Sequence, residues 1–345
     1  MNIGDLPNPK AAAEAIRAFQ KRFSAKTCMA PSRDCQGPVV SAHTLSAEGM
    51  LRPISRQGHV YAIDTNLFSG DKDGLSRLAL RGIRETSVFN GFCQKHDREL
   101  FAPIETTPFV CAPEQCFLHA YRAVAKECYL KRKQAECFPP PEIFKEIHGL
   151  SEETEVKLSD IAVVHQAASL RGAEDVERTK AKMDEIHLLK DWRRLCTTVV
   201  PFSSRPGLVC SFLYAPDFDF SGKYLQDFED TSADLSHLMV TVIPGEAGGF
   251  ALLSHLDTAN SAPSDLIASL LAESEVTSAL VWLVACQTEN FALSPDWYES
   301  IGAEMQTLFM KAFHSNVDAE KLTINQLKGF KFAVPTWNPQ AAFTI

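Results

Sequence analysis

Four side chains in this sequence are spaced to hold one metal ion. Cys28 and Cys35 flank a short loop, and Pro31, Asp34 and Gly37 mark a tight turn in and beside it. Such a knuckle lets two thiolates point at one ion. Cys93 and His96 follow as C-x2-H where a turn enters an expected helix, within Phe89-Asn90-Gly-Phe-Cys93-Gln-Lys-His96-Asp97. Soft thiolates and imidazole in a tetrahedron are what zinc prefers. The interval inside the first pair is wider than the usual two to four residues. Cys111 and Cys116 are at hand to replace one member of the set. His43 lies just beyond the knuckle at the end of a strand-like run, Pro38-Val-Val-Ser-Ala-His43.

The elements that must position these residues follow from periodicity. Ala12, Ile16, Phe19 and Phe23 fall at helical spacing and predict a helix over 11–23. Short strands are expected at 38–43 and 54–63, and a polar connecting loop over 64–85. A long helix is expected over 113–137, with Phe117, Tyr121, Val124 and Cys128 on one face and Arg122, Lys126, Lys131, Arg132 and Lys133 on a basic one. Phe138-Pro-Pro-Pro141 ends it and marks an expected boundary between residues 1–137 and 138–345. Residues 142–195 read as helical, with a long charged piece from 174 to 196. Strands are expected at 207–214 and 238–243, the latter in a hairpin with 250–253. Helices are expected over 264–286 and 295–314, and a last strand over 331–334. The expected class is α+β: a zinc-stapled N-terminal part with a long helix, then a mixed helical and antiparallel-sheet part.

Composition narrows the function. With 45% hydrophobic and 22% charged residues, the 345-residue chain can bury an ordinary core. No apolar run is long enough for a membrane span. Asp5 stands early with no apolar segment behind it, so no export signal is read and the cytoplasm is expected. The ten cysteines therefore read as thiols or metal ligands rather than disulfides. Net charge is −9, but residues 1–137 hold 19 Lys and Arg against 14 Asp and Glu, whereas residues 138–345 hold 15 against 29. That asymmetry suits nucleic acid on the N-terminal part, and a protein partner or second copy on the acidic part. No GxxxxGK[ST], strand-borne GxGxxG or HExxH occurs, which leaves ATP-driven, dinucleotide and zincin chemistry without support. Glu289-Asn290 and Asp296-Trp297 read as a pocket rim or partner contact or, more simply, as helix capping, with Ser294 at the N-cap and Pro295 first in the helix. Asp217, Asp219 and Asp227 read as a cation loop or, more simply, a solvated turn, and His59 as a second candidate for the site or, more simply, an ordinary strand histidine.

A knuckle pair followed by a pair at a helix start resembles the treble-clef arrangement of the HNH, or ββα-metal, nucleases. The resemblance implies His43 as general base, Asn90 as the orienting central Asn, and Asp97 (or His96) as holder of a catalytic Mg²⁺ or Mn²⁺, beside a structural Zn²⁺ on Cys28, Cys35, Cys93 and His96. The chemistry wants a near-neutral imidazole and a hard oxygen ligand. Asp64 and Glu105 are further acids available to a cation. Ala42 stands where the family carries a ligand before the base. The residues Ala42-His-Thr44, Gly58-His-Val-Tyr61, Phe92–Asp97, Phe101–Glu105, Tyr121-Arg-Ala123, Thr288-Glu-Asn290 and Ser294–Trp297 also resemble a family of bacterial proteins to which no activity is attached. Together these resemblances imply a bacterial metal-dependent endonuclease, by analogy one serving anti-phage defence. The alternative is a non-catalytic zinc module that binds nucleic acid or a protein.

Overall fold

The computed structural model describes residues 21, 25–64, 77–137, 152–230, 233–315 and 326–345. The helix expected over 11–23 falls almost entirely outside them. The chain is mixed α+β with antiparallel sheets. In order come β1 (Val39–His43), β2 (His59–Ile63), β3 (Leu78–Gly82), β4 (Val88–Cys93), α1 (Gln94–Glu105), α2 (Pro113–Cys137) and α3 (Glu152–Leu189). They are followed by β5 (Leu195–Phe202), β6 (Leu208–Tyr214), β7 (Leu238–Pro244), β8 (Gly249–Leu256), α4 (Ala262–Leu271), α5 (Val276–Gln287), β9 (Phe291–Leu293), α6 (Pro295–Ser300), α7 (Gly302–Ser315) and β10 (Phe343–Thr344).

An eight-stranded sheet in the order β10-β5-β8-β7-β6-β9-β2-β3 forms the middle of the molecule. Strand side chains alternate between faces. Leu208, Cys210 and Phe212 of β6, with Leu238, Val240 and Val242 of β7, pack into the core made with α4, α5 and α7. Val209, Leu213, Met239 and Ile243 enter the cores on the other face, with α2, α3 and the segments before β2. Both faces are covered, so β6 and β7 read as continuous apolar runs. β1 and β4 form a separate two-stranded antiparallel ribbon.

The sheet crosses the expected boundary at 137/138. β2 and β3 come from before it and pair, through β9, with strands from after it. The part of 64–85 expected as loop contains β3, paired along its length with β2. The strand expected from Ile54 begins only at His59. Gln57 and Gly58 both take positive φ, 53° and 74°, in a tight turn that pairs Arg56 with His59. β5 was hidden under the expected end of the helical run, since α3 stops at Leu189. The helix expected over 295–314 breaks at Gly302, which has φ 82°. The run 331–334 is not a strand; β10, at 343–344, supplies the final one. Among the described residues no helix is long and apolar enough to cross a membrane.

The basic face expected on α2 is not a solvated one. Arg122 is only 2% exposed and Lys133 is buried as well. Arg122 lies 3.9 Å over the Phe101 ring and donates to Glu105 at 2.6 Å. Part of the N-terminal positive charge is therefore spent inside the fold.

Candidate metal centre

The ribbon brings the two ligand pairs together. Thr27 N–H donates to the Asn90 carbonyl at 3.1 Å, and Met29 N–H to that of Gly91 at 2.8 Å, so the knuckle begins alongside β4. The end of the knuckle is tied to α1: Gln94 N–H donates to the Pro38 carbonyl at 2.9 Å and Lys95 N–H to that of Gln36 at 3.3 Å. Gly37, at φ 74°, makes the return turn, where a Cβ would press on the Gln94 side chain. Cys93 then ends β4, and His96 sits in the first turn of α1.

One ligand atom from each of Cys28, Cys35, Cys93 and His96 lies within 4.8 Å of every other. His96 Nδ1 is 3.3 Å from Cys28 Sγ, 3.3 Å from Cys93 Sγ and 3.7 Å from Cys35 Sγ. Zn–S near 2.3 Å and Zn–N near 2.0 Å at a tetrahedral angle put sulfur and nitrogen about 3.5 Å apart. The four residues can hold a metal ion, and their donor types and spacing fit a tetrahedral one. Cys93 is buried. Burial raises its thiol, but the backbone N–H groups of His96 and Gln36 outweigh that and bring it down to about 7. Cys35 is pushed up to about 11 by burial and by Cys28. Two thiols forced to share a site without a cation resist ionising together, and a cation removes that conflict.

The long first interval has a use the spacing did not reveal. With Nδ1 facing the thiols, His96 Nε2 carries the proton and donates to Ser32 Oγ at 2.9 Å and Asp34 Oδ1 at 3.1 Å. Both acceptors lie inside the loop between Cys28 and Cys35. A carboxylate behind a ligating imidazole fixes its tautomer and strengthens it as a donor. Lys95 bonds the same carboxylate and, ahead of Ser32 and His96, holds Asp34 well below the usual carboxylate range.

Compared with family models, curated proteins and solved structures, the chain matches none.

The remaining expected residues distribute as follows. His43 ends β1 opposite Val88. Its Nε2 is enclosed with no partner among the described residues. Burial lowers its pKa, partly opposed by the Arg84 carbonyl, while Arg122 lowers it and Glu105 raises it. Asp97 has an enclosed Oδ1 with no partner among the described residues, and burial raises its carboxyl against the pull of Arg122. His43 and Asp97 thus share one electrostatic neighbourhood centred on the Arg122–Glu105 pair. His119 joins it, pushed down to about 3 by burial and by Arg122. Asn90 stays on the ribbon, its carboxamide accepting from Ser41 Oγ at 3.4 Å.

Asp64 accepts from Arg81 at 3.1 Å, and Glu105 is the partner of Arg122. His59 is exposed, with Nδ1 3.0 Å from the Gln57 carbonyl in its turn. Cys111 and Cys116 neighbour one another and stand outside the four-ligand group. Asp219 folds its own turn, accepting from Ser221 Oγ and the N–H groups of Gly222 and Lys223. Ser32, Asp34, Arg122 and His119 were missed in the sequence. Asp34 alone carried a usable signal, being an acid inside a ligand loop.

Proposed function

We propose that residues 25–43 and 88–105 form a treble-clef-type zinc module whose knuckle face binds nucleic acid. The observation that carries the reading is the Cys28–Cys35–Cys93–His96 group with its carboxylate-backed imidazole. The donor set favours Zn²⁺ over harder cations. In this reading the ion ties knuckle, ribbon and helix into one surface. Lys26, Arg33 and Arg98 are exposed around it, and such side chains bind a phosphate backbone without reading bases. The enclosure of His43 Nε2 and Asp97 Oδ1 leaves these atoms no open path to a phosphodiester, which ranks binding above cleavage.

Fluorescence anisotropy with labelled single-stranded DNA, duplex DNA and RNA tests this on zinc-loaded protein. Wild type should bind at low salt, and Arg33→Glu with Arg98→Glu should lower the slope of log K against log[salt] by about two. No binding of any probe at low salt sinks the proposal.

A second reading has one observation in its favour. His43 is kept neutral at a strand end, and Asp97 sits in the first turn of the following helix within the same electrostatic neighbourhood. That is the placement an HNH-like nuclease needs, with Mg²⁺ or Mn²⁺ near Asp97. Plasmid and RNA cleavage with either cation, present in wild type and lost in His43→Ala, would raise this reading above the first. Cleavage by neither protein removes it.

A further inference from the structure

A cavity of about 240 Å³ opens where α2 crosses the joint between the N-terminal strands and β9. Ile63, Phe89, Leu130 and Phe291 give it an apolar wall, and Lys126 and Glu289 line it as well. Lys126 differs from the other well-covered lysines. Lys95 is bonded to Asp34, Lys133 to Glu136 at 2.6 Å, and Lys180 to Asp184. Lys126 makes no hydrogen bond or ion pair among the described residues, yet it is half-buried. Its stem is packed against neighbours while Nζ keeps some contact with solvent beside the cavity, so the amine is held there without a bonded partner.

Charged groups reach Lys126 from several elements. Glu127 lies on its own helix and Glu289 comes from the segment between α5 and β9. Arg81 and Glu85 stand at the rim from β3 and the turn after it, with Arg81 engaged by Asp64. The loss of hydration dominates, and Lys126 is pushed down to about 8. A second feature falls at the same place. Ser87 lines the cavity with φ 60°, a conformation that non-glycine residues rarely adopt. It is held there by donating to Asn290 Oδ1 at 2.6 Å. Backbone strain at Ser87 and a lysine with no bonded partner thus line one cavity, together with the carboxylate of Glu289.

We propose that Lys126 is the nucleophile of a binding site for small uncharged aldehydes or ketones, which it takes up as an imine. The lined surface suits such a ligand. One wall is apolar, and apart from Lys126 the lining carries Glu85 and Glu289 against Arg81, which Asp64 already engages, so nothing selects an anion. In the step, the Nζ lone pair attacks the carbonyl carbon, and one Nζ proton passes by way of Glu289, which is exposed at the mouth, to the carbonyl oxygen, giving a neutral carbinolamine. The second Nζ proton passes the same way to the hydroxyl, which leaves as water as C=N forms. One amine and one carbonyl give one imine and one water, with no oxidant or reductant.

The test treats the whole chain with limiting propionaldehyde and cyanoborohydride at pH 7.5, then maps propylated lysines by mass spectrometry. At that pH an amine of pKa 8 is about one-quarter neutral, against roughly one in 800 for an ordinary lysine at 10.4. After allowing for its weaker basicity, Lys126 should react about tenfold faster than the mean exposed lysine. Its rate should saturate with aldehyde, while exposed lysines respond linearly. Glu289→Gln should slow labelling at Lys126 alone. Labelling of Lys126 no faster than the surface mean, a linear response, or an unchanged rate in Glu289→Gln would each overturn the proposal. The comparison is internal to folded wild-type protein, so an unstable Lys126→Met variant would not obscure it.

Discussion

Replacing Cys93 with Ser removes one ligand while leaving side-chain volume nearly unchanged. Cys93 is 1% exposed, and its N–H donates to Cys28 Sγ at 3.3 Å. Structural Zn²⁺ contributes about 10–16 kcal/mol in small zinc peptides. An equal share among four ligands is roughly 3–4 kcal/mol, or two to three powers of ten in metal affinity. If that is lost from folding in a chain of 345 residues, the entropy of unfolding translates it into a melting shift of about 5 °C. The assay is zinc per chain by mass spectrometry, followed by competition with a chromogenic chelator and a thermal melt. Cys116→Ser is the matched control: that residue is also 1% exposed but stands outside the metal group. It should keep one zinc per chain. If Cys93→Ser keeps stoichiometric zinc and resists chelator as wild type does, the four-ligand assignment is refuted.

Asp34→Asn should retain zinc at saturation but lose it to chelator at 10- to 100-fold lower concentration, because the imidazole loses its carboxylate support. Equal resistance would show that Asp34 serves only Lys95. Stability should also fall with acid for a reason unrelated to the metal. His237 is 7% exposed, its Nδ1 lies 3.0 Å from Thr179 Oγ1, and burial pushes it down to about 4. Its folded pKa is depressed, so its contribution is present above pH 6.5 and fades as pH falls from there toward 4. The full loss is about 3 kcal/mol. A urea series should show this slope in wild type and a flatter one in His237→Gln; equal slopes would contradict the assignment.

What could be read from the sequence divides by range. The long helix α2 was legible end to end, since Pro113 starts it, apolar residues recur at helical spacing, and a proline run follows it. β6, β7 and β8 were legible as apolar runs. β5 was not: Thr197 and Thr198 interrupt its apolar pattern, and it follows a long charged helix with only a short turn between. β9, at three residues, is too short for any period to show. The four residues able to hold a metal ion were legible because each pair is local and its chemistry is set by residue type. Arg122 and Lys126 were not, because burial of a charge is decided by elements far apart in sequence. Arg122 read as part of a solvated face until Phe101 and Glu105 from α1 closed over it.

The location of the metal group follows from the same topology. Between β1 and β4 the chain leaves the ribbon, contributes β2 and β3 to the main sheet, and returns at Val88. A two-stranded ribbon is marginal by itself, and this one is not closed by a short hairpin turn. Its core contacts, Ala42, Phe89 and Phe92 against α2, lie on one side. Joining residues 28 and 35 to residues 93 and 96 closes that long excursion at its open end, where the entropy gain from a cross-link is largest. The metal should therefore matter most to the ribbon and α1 and least to the eight-stranded sheet. Hydrogen exchange after metal removal should show amides of β4 and α1 losing protection while those of β6 and β7 keep theirs; uniform loss across both sheets would mean that the ion supports the whole fold rather than the excursion it closes.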